Sequence, residues 1–318
     1  MQMINDIVCI APSVYRRVLK LMGNRFEISV VAEDEKEATV FIDAAVKEIQ
    51  RIEKLLTTFS ETSQTNLINN NAGLQPVKVD RELFDLLVRC RRVSEITQGA
   101  FDVTYGSAVK DLWNFNSSMT SLPDAETAKR SVRLINYKNV ILDERAGTVF
   151  LREPGMRIGF GGIGKGYGAE RAKELLKNMG LKSGIVNAAG DLTAWGSQPD
   201  GKPWTIGIAD PNAARTAFSY LEISDSSVAT SGNYEKFVMI GGKRYSHTID
   251  PKTGLPVRGV KSVTIISPNA ELADAMATPV MIMGTETGLD LVNQVKGLGC
   301  IIIDDHDKIY TSKNINLQ

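Results

Sequence analysis

The 318-residue chain reads as an α+β protein, with mixed sheets and packed helices, on three observations. Stretches with apolar residues at helical spacing stand in its first third and again near its end. Short apolar runs of strand length dominate from about residue 183 to 267. The two kinds of element follow one another without the strict strand–helix alternation of a parallel α/β sheet.

Taken in order, residues 1–20 read as a loosely organised lead-in, followed by a single domain over 21–318. Residues 25–32 alternate apolar and polar positions and predict a strand. Asp34 with Glu37 resembles a helix start, and Ile42, Ala45, Val46, Ile49, Ile52 and Leu56 then mark one face of a helix over 35–56. Such a stripe is more often core than binding face. The polar, Asn-rich stretch 62–79 predicts a loop. Asp80 precedes a helix to about Thr97, which Gly99 ends. A surface connection with a short helix leads to a hairpin turning near Arg145, Ala146 and Gly147.

The glycine-rich run 159–168 opens a helix with Ala172, Leu175, Leu176 and Met179 on one face, closed by Gly180. Strands follow in SGIVNAA, WTIGIA, YLEIS and KFVMI. Gly241 and Gly242 predict a tight hairpin into KRYSH. SVTIIS is a further strand. Asn269 caps a helix over 270–283, TETGLDLVNQV continues as another, and a hairpin around Asp305, His306 and Asp307 closes the chain.

The composition, 43% hydrophobic and 23% charged, is that of an ordinary globular protein. Lys plus Arg and Asp plus Glu both number 37, which argues against a nucleic-acid binder. Three widely spaced cysteines (Cys9, Cys90, Cys300) suit buried thiols rather than a disulfide framework. With two histidines and no CxxC pair, a zinc site is not expected. No apolar run is long enough for a transmembrane helix, and the first dozen residues are too short and too poor in basic residues for a secretory signal. The expected compartment is the cytoplasm, or the periplasm if a signal has been removed.

Four constellations could carry chemistry. The run GFGGIGKGYG holds Gly159, Gly161 and Gly164 at dinucleotide-fingerprint spacing, but that motif needs an acid about 20 residues on, and Asp191 lies 27 past Gly164. It also nearly spells a P-loop, failing where Gly166 replaces Ser or Thr. What survives is a loop of small residues at a helix start, which attracts anions, with Lys165 beside it. The bland alternative is that the glycines only permit close packing.

In ELADAMATP, Asp274 and Thr278 share one helix face and offer hard oxygen ligands suited to magnesium on a diphosphate. The small neighbours Ala273, Ala275 and Ala277 suit an inward carboxylate, although a lone helix aspartate is more often solvated. Pro279 frees the carbonyl of Ala275. In RYSHTIDPKTGLPV, His247 is a candidate general base, with Asp250 placed to orient it; a lone histidine is more often structural. In GAFDVT, Phe101 could stack on a flat ring and Asp102 bond a ribose or adenine, while core packing and capping are equally good readings.

Together these stretches resemble the FAD:protein FMN transferase (ApbE) family. The resemblance is carried by LMGNRFEISV, TFSETSQTNLIN, GAFDVT followed by DLWNF, GGIGKGYGAERAKELL, GIVNAAGDLTAWG, ATSGNYEKF, RYSHTIDPKTGLPV and ADAMATPVMIMG, in family order from about residue 20. It implies two lobes around a FAD cleft, an architecture comparable with the T-fold, and Mg2+ on the FAD diphosphate. By position it implies that Met22 and Phe59 line the flavin site and that Ala100, Phe101 and Asp102 form a FAD-binding turn. Lys165 and Thr248 would contact FAD. Gly162, through its carbonyl, would hold the metal with Asp274 and Thr278, and His247 would be the base.

The activity so implied is Mg-dependent transfer of FMN from FAD to a Ser or Thr of an acceptor redox protein, in a Ser/Thr-Gly-Ala-Thr type motif, with release of AMP. The alternatives are a FAD pyrophosphatase, with water as nucleophile, and a non-catalytic FAD-binding protein. A nicotinamide dehydrogenase is disfavoured for want of the ribose acid. Two departures stand out: Gly159 replaces the family's usual aspartate, and Pro279 follows the metal threonine. Lipid-anchored forms are common in the family, but no lipidation context surrounds a cysteine here.

Overall fold

The computed structural model describes residues 12–109, 112, 121–209, 217–232 and 237–315. Its centre is an eight-stranded sheet in the order β1 (Ser13–Leu21), β2 (Asn24–Ala32), β6 (Gly184–Ala188), β7 (Asp191–Trp195), β10 (Ser226–Gly232), β13 (Val260–Ser267), β14 (Gly299–Asp304), β15 (Ile309–Thr311). Neighbours in that order run antiparallel.

Strand β1 corrects the reading of 1–20 as a lead-in. Residues 13–21 pair with β2 along its length, from Ser13 opposite Ala32 to Leu21 opposite Asn24. The strand sits on the sheet edge and is largely solvated, with Val14 and Val18 exposed. It therefore lacks the apolar pattern that marks a half-buried strand. Residues 1–11, Cys9 among them, lie outside the described residues, as do most of DLWNF and part of ATSGNYEKF.

Side-chain alternation in the strands sorts two layers. Phe26, Ile28 and Val30 of β2 and Val186 and Ala188 of β6 pack on helices α1 (Glu35–Leu56) and α5 (Gly164–Asn178). Val263 and Ile265 of β13 pack under α6 (Ala270–Met283). On the other face Val31, Ile185, Leu192, Val228 and Ile266 meet Trp204, Ile206, Leu221 and Ile223. These come from the hairpin of β8 (Trp204–Ala209) and β9 (Ala217–Ile223).

Helix α1 starts where Asp34 caps it, its carboxylate accepting from the Glu37 amide, and buries Ala45, Ile49 and Ile52 completely. Truncating Ile52 to Ala would cost about 2–5 kcal/mol. The predicted loop over 62–79 is instead a helix, α2 (Gln64–Asn70), and a short strand, β3 (Val77–Lys78). Ser63 caps α2, and its inner face is polar: Asn66 and Asn69 are buried and bonded to backbone. An apolar-periodicity argument misses such a helix.

Helix α3 (Arg81–Ile96) starts and ends near its predicted limits, but Asp80 gives no cap bond; its carboxylate takes the Gln64 amide. A short helix α4 (Ala125–Ser131) precedes the hairpin of β4 (Val140–Asp143) and β5 (Thr148–Leu151), which β3 extends. In α5 the buried face is Gly166, Ala169, Ala172, Lys173 and Leu176, whereas Met179 is exposed. The hairpin of β11 (Phe237–Ile240) and β12 (Lys243–Ser246) turns at Gly241 and Gly242 as predicted, and α7 (Thr285–Gln294) follows α6. Cys90 and Cys300 are buried free thiols. Among the described residues no helix is long and apolar enough to cross a membrane.

Candidate active site

The glycine run does in space what its chemistry allows. Gly164 opens α5, and the first turn of that helix lies against α6. A Cβ at Gly166 would stand 2.2 Å from the carbonyl oxygen of Ala270 and 2.7 Å from Cβ of Asp274. Close packing is thus one reason for glycine here. The Gly166 amide donates to Asp274 Oδ2 at 2.8 Å, so this first-turn donor of α5 is taken by a carboxyl of α6.

Asp274 is buried, flanked by the fully buried Ala273 and Ala275 as its small neighbours predicted. Burial pushes its carboxyl up to about 7, and the nearby charge of Asp191 adds to this. Lys165 and the amides of Gly166 and Lys165 pull the other way. Thr278, one turn on, shares a 2.9 Å hydrogen bond with the Ser231 hydroxyl from β10.

Lys165 forms an ion pair with Asp191, the first residue of β7. Burial disfavours its ammonium, but the charges of Asp191 and Asp274 outweigh this and hold its pKa above the usual lysine value. Asp191 is the residue that sequence reasoning missed. As a ribose ligand it fails on spacing, whereas its partner in the structure is the lysine of the glycine run. The strand it opens is buried throughout, and buried carboxylates are almost always paired, but that burial is visible only in the fold.

Met22 reaches the same helix start. Its Sδ lies 3.1 Å and its Cε 3.6 Å from where Cβ atoms would stand on Gly168 and Gly164. Met22 and Gly23 form the β1–β2 turn with φ of 51° and 72°. A methionine in the left-handed region is uncommon, and such residues cluster at functional sites.

The GAFDVT turn joins the glycine run to the histidine segment. Val103 accepts from the Gly159 amide at 2.9 Å. The buried Phe101 ring lies 3.7 Å from where a Cβ on Gly162 would stand. The Tyr105 hydroxyl lies near the backbone of Ile249, two residues past His247. Buried Ala100 precedes Phe101.

Asp102 is committed to the protein. Oδ1 accepts from the Thr104 amide at 2.8 Å and hydroxyl at 2.6 Å, and Oδ2 from the Tyr137 amide at 2.8 Å. Burial nonetheless leaves its pKa raised. Of its two readings, capping is the one these bonds express.

His247 is exposed where the chain leaves β12, and Thr248 is half-buried. The Thr248 amide donates to Ser246 Oγ, and its carbonyl accepts from Val257. Asp250, the expected orienter, is bonded within its own turn. Its oxygens accept from the Lys252 amide and the Thr253 hydroxyl, closing the Pro/Gly turn. Phe59 is 99% exposed beside α1 in a shallow hollow with Glu53, Lys54 and Thr57. A groove of about 820 Å3 runs between α3, α5 and α6 past Arg89, Tyr167 and Glu271, and is lined by neither Lys165 nor Asp274.

Comparison with known proteins identifies the family. The family model described as the ApbE family matches residues 22–302. A FAD:protein FMN transferase of Klebsiella pneumoniae is 33% identical over 303 residues, covering 95% of this chain and 90% of the relative. That of Treponema pallidum is 31% identical over 322 residues, covering 95% and 87%. The crystal structure of the Thermotoga maritima ApbE protein superposes with a TM-score of 0.83 at 31% identity, covering 95% of this chain and 97% of its own. The apo flavinyl transferase ApbE of Pseudomonas stutzeri gives 0.80 at 26% identity, covering 95% and 94%. By sequence and by fold, the chain is a member of the ApbE family.

Proposed function

We propose that the chain is a Mg2+-dependent FAD:protein FMN transferase. It would take FAD, join FMN through a phosphoester bond to a Ser or Thr of an acceptor redox protein, and release AMP. The observation that carries this reading is the contact of the Lys165 turn with the Asp274–Thr278 turn through the Gly166 amide.

The donor set fits the metal. Asp274, Thr278 and the Gly162 carbonyl are hard oxygens. Among the described residues no group of three or more His, Cys, Asp or Glu could hold an ion. Magnesium usually accepts one or two carboxylates and completes its shell with water and substrate phosphate oxygens. When bound, such an ion would neutralise charge on the diphosphate in the transition state.

The chain's own residues divide the remaining work. Lys165 supplies a second positive charge at the phosphates. Phe59 and Met22 bound the flavin, the Ala100–Phe101 turn and Thr248 bound the rest of FAD, and Asp102 holds that turn in shape. His247 accepts the proton of the acceptor hydroxyl as that oxygen bonds to the FMN-side phosphorus. The bond from this phosphorus to the bridging oxygen breaks, and AMP departs with the electron pair. The acceptor class is a protein segment of Ser/Thr-Gly-Ala-Thr type.

A FAD pyrophosphatase is the second reading, favoured by the exposure of His247, which lets water reach the same base. Mass spectrometry of an acceptor incubated with the protein, FAD and Mg2+ separates the two. An FMN-sized adduct that vanishes in Asp274→Ala supports transfer. AMP release without an adduct supports hydrolysis, and intact FAD co-purifying with the chain would mark a carrier.

A further inference from the structure

Helices α5 and α6 are braced against each other twice, in a reciprocal pattern. The Gly166 amide of α5 donates to Asp274 of α6, and the Ala270 amide of α6 donates to Glu170 Oε2 of α5, both at 2.8 Å. In each helix the donor stands four residues before the acceptor, so donor and carboxylate share one face. The two bonds form a closed loop through the point where a Cβ on Gly166 would strike the Ala270 carbonyl. Sliding one helix along the other breaks both.

Glu170 is built for this task rather than left there by chance. It is 6% exposed, and its other oxygen pairs with Lys173 Nζ at 2.5 Å, on a lysine that is itself buried. The Ala270 amide belongs to the first turn of α6, where no intrahelical acceptor exists. Without Glu170 that amide would be buried without its acceptor, and the Lys173 charge would lose its partner.

The crossing held in this way separates the two halves of the proposed cation and diphosphate site. Gly162 and Lys165 lie at the start of α5, whereas Asp274 and Thr278 lie on α6. With Oδ2 of Asp274 engaged by Gly166, the position of that carboxylate relative to the Lys165 turn depends on how the helices meet.

We propose that Glu170 is a positioning residue for the cation site, fixing the α5–α6 crossing by accepting the first amide of α6. The inference rests on the cation reading above. Its test is Mn2+ titration, followed by electron paramagnetic resonance, of the whole chain with ADP as diphosphate probe, alongside thermal unfolding. The first variant is Glu170→Leu combined with Lys173→Leu, since replacing a buried ion pair by apolar residues often leaves stability unchanged. It removes the acceptor but leaves no buried charge. The second is Glu170→Gln, which keeps a carbonyl acceptor for Ala270. Val149→Ala, in the remote β5 strand, serves as a control for loss of stability alone.

The double variant is expected to bind Mn2+ at least about tenfold more weakly, as outer-shell partners of metal ligands do, with Glu170→Gln within about threefold of the parent and Val149→Ala unchanged. Double-variant affinity within about twofold of the parent would overturn the proposal, as would a loss in Glu170→Gln or Val149→Ala equal to that of the double variant. Failure of the parent chain itself to bind Mn2+ with ADP would overturn the cation reading, and this inference with it.

Discussion

The Gly166 amide donates to Asp274 Oδ2 across 108 residues of sequence, at 2.8 Å. This bond requires a glycine, since any Cβ would meet the Ala270 backbone oxygen at 2.2 Å. Gly166→Ala is therefore expected to destabilise the fold by about 1–3 kcal/mol, the usual cost of overpacking. It should also displace Asp274 and abolish activity. Gly161→Ala is the matched control, because nothing lies within 4 Å of its Cβ. Urea unfolding of both variants checks this, and equal midpoints would contradict it.

Asp274 makes the protein's stability depend on pH when divalent cations are removed. Its folded-state pKa, about 7, lies above the ordinary value of 3.8. Between those values the native state holds a proton that the unfolded state has released. This contribution is therefore complete below about pH 4 and is lost as pH rises to about 7. Asp274→Asn, which cannot titrate, should gain on the parent over that window by on the order of 2–4 kcal/mol. Denaturant curves from pH 4 to 7 with a chelator measure the difference; a constant gap between the two proteins would refute it.

The main outline of this molecule was legible in its residues because most helices and strands bury one apolar face. The helix over 35–56, the helix after the glycine run, the helix capped by Asn269 and the Gly241–Gly242 hairpin follow from periodicity and turn chemistry. What escaped was structure stabilised otherwise. Strand β1 is a solvated edge, and helix α2 is seated through the side-chain amides of Asn66 and Asn69. The site divides in the same way. The Asp274–Thr278 spacing and the glycine run are local patterns and could be read directly. The Lys165–Asp191 ion pair and the loss of Asp250 to its own turn are set by packing and by competing backbone donors. No spacing rule encodes either.

Phe59 is held out by a buried neighbour. The Asn66 side-chain amide donates to the carbonyls of Thr58 and Ser60, both at 2.8 Å, clamping the backbone on either side of the exposed ring. Because the ring is almost wholly solvated, Phe59→Ala should change stability by less than about 0.5 kcal/mol. If the ring stacks on the flavin, FAD affinity should fall by roughly three- to tenfold, the worth of an aromatic pair. Asn66→Ala should lower both. Isothermal titration with FAD and thermal unfolding separate these effects, and undiminished FAD affinity in Phe59→Ala would remove the ring from the site.

His247 and the turn of the glycine run stand on different elements, His247 after β12 and Lys165 at the start of α5. Binding and proton transfer should therefore separate on mutation. His247→Ala is expected to lower the rate of FMN transfer by about 10²–10⁴-fold, the usual worth of a general base. FAD affinity should stay near that of the parent. Single-turnover transfer rates with parallel FAD titrations test this. A His247→Ala protein that transfers at the parent rate would assign the proton to another group.

Gly159 is where this chain departs from the aspartate usual in its family, and the structure leaves room for that side chain. No heavy atom lies within 4 Å of a Cβ at Gly159, while its amide is anchored to Val103 at 2.9 Å. Its backbone is outside the left-handed region, so a side chain adds no strain there. Gly159→Asp is therefore expected to leave stability within about 0.5 kcal/mol of the parent. The new carboxylate would stand in open space on the residue before Phe160. There it can accept hydrogen bonds from a ribose or ring N–H, yet it adds negative charge near a diphosphate. If hydrogen bonding dominates, FAD affinity should rise by roughly threefold to tenfold, the worth of about one good hydrogen bond. If repulsion dominates, affinity should fall, and the fall should shrink as ionic strength rises. FAD titrations at low and high salt distinguish the two. Affinity that does not change at either salt concentration would mean that bound FAD does not pass Gly159 at all.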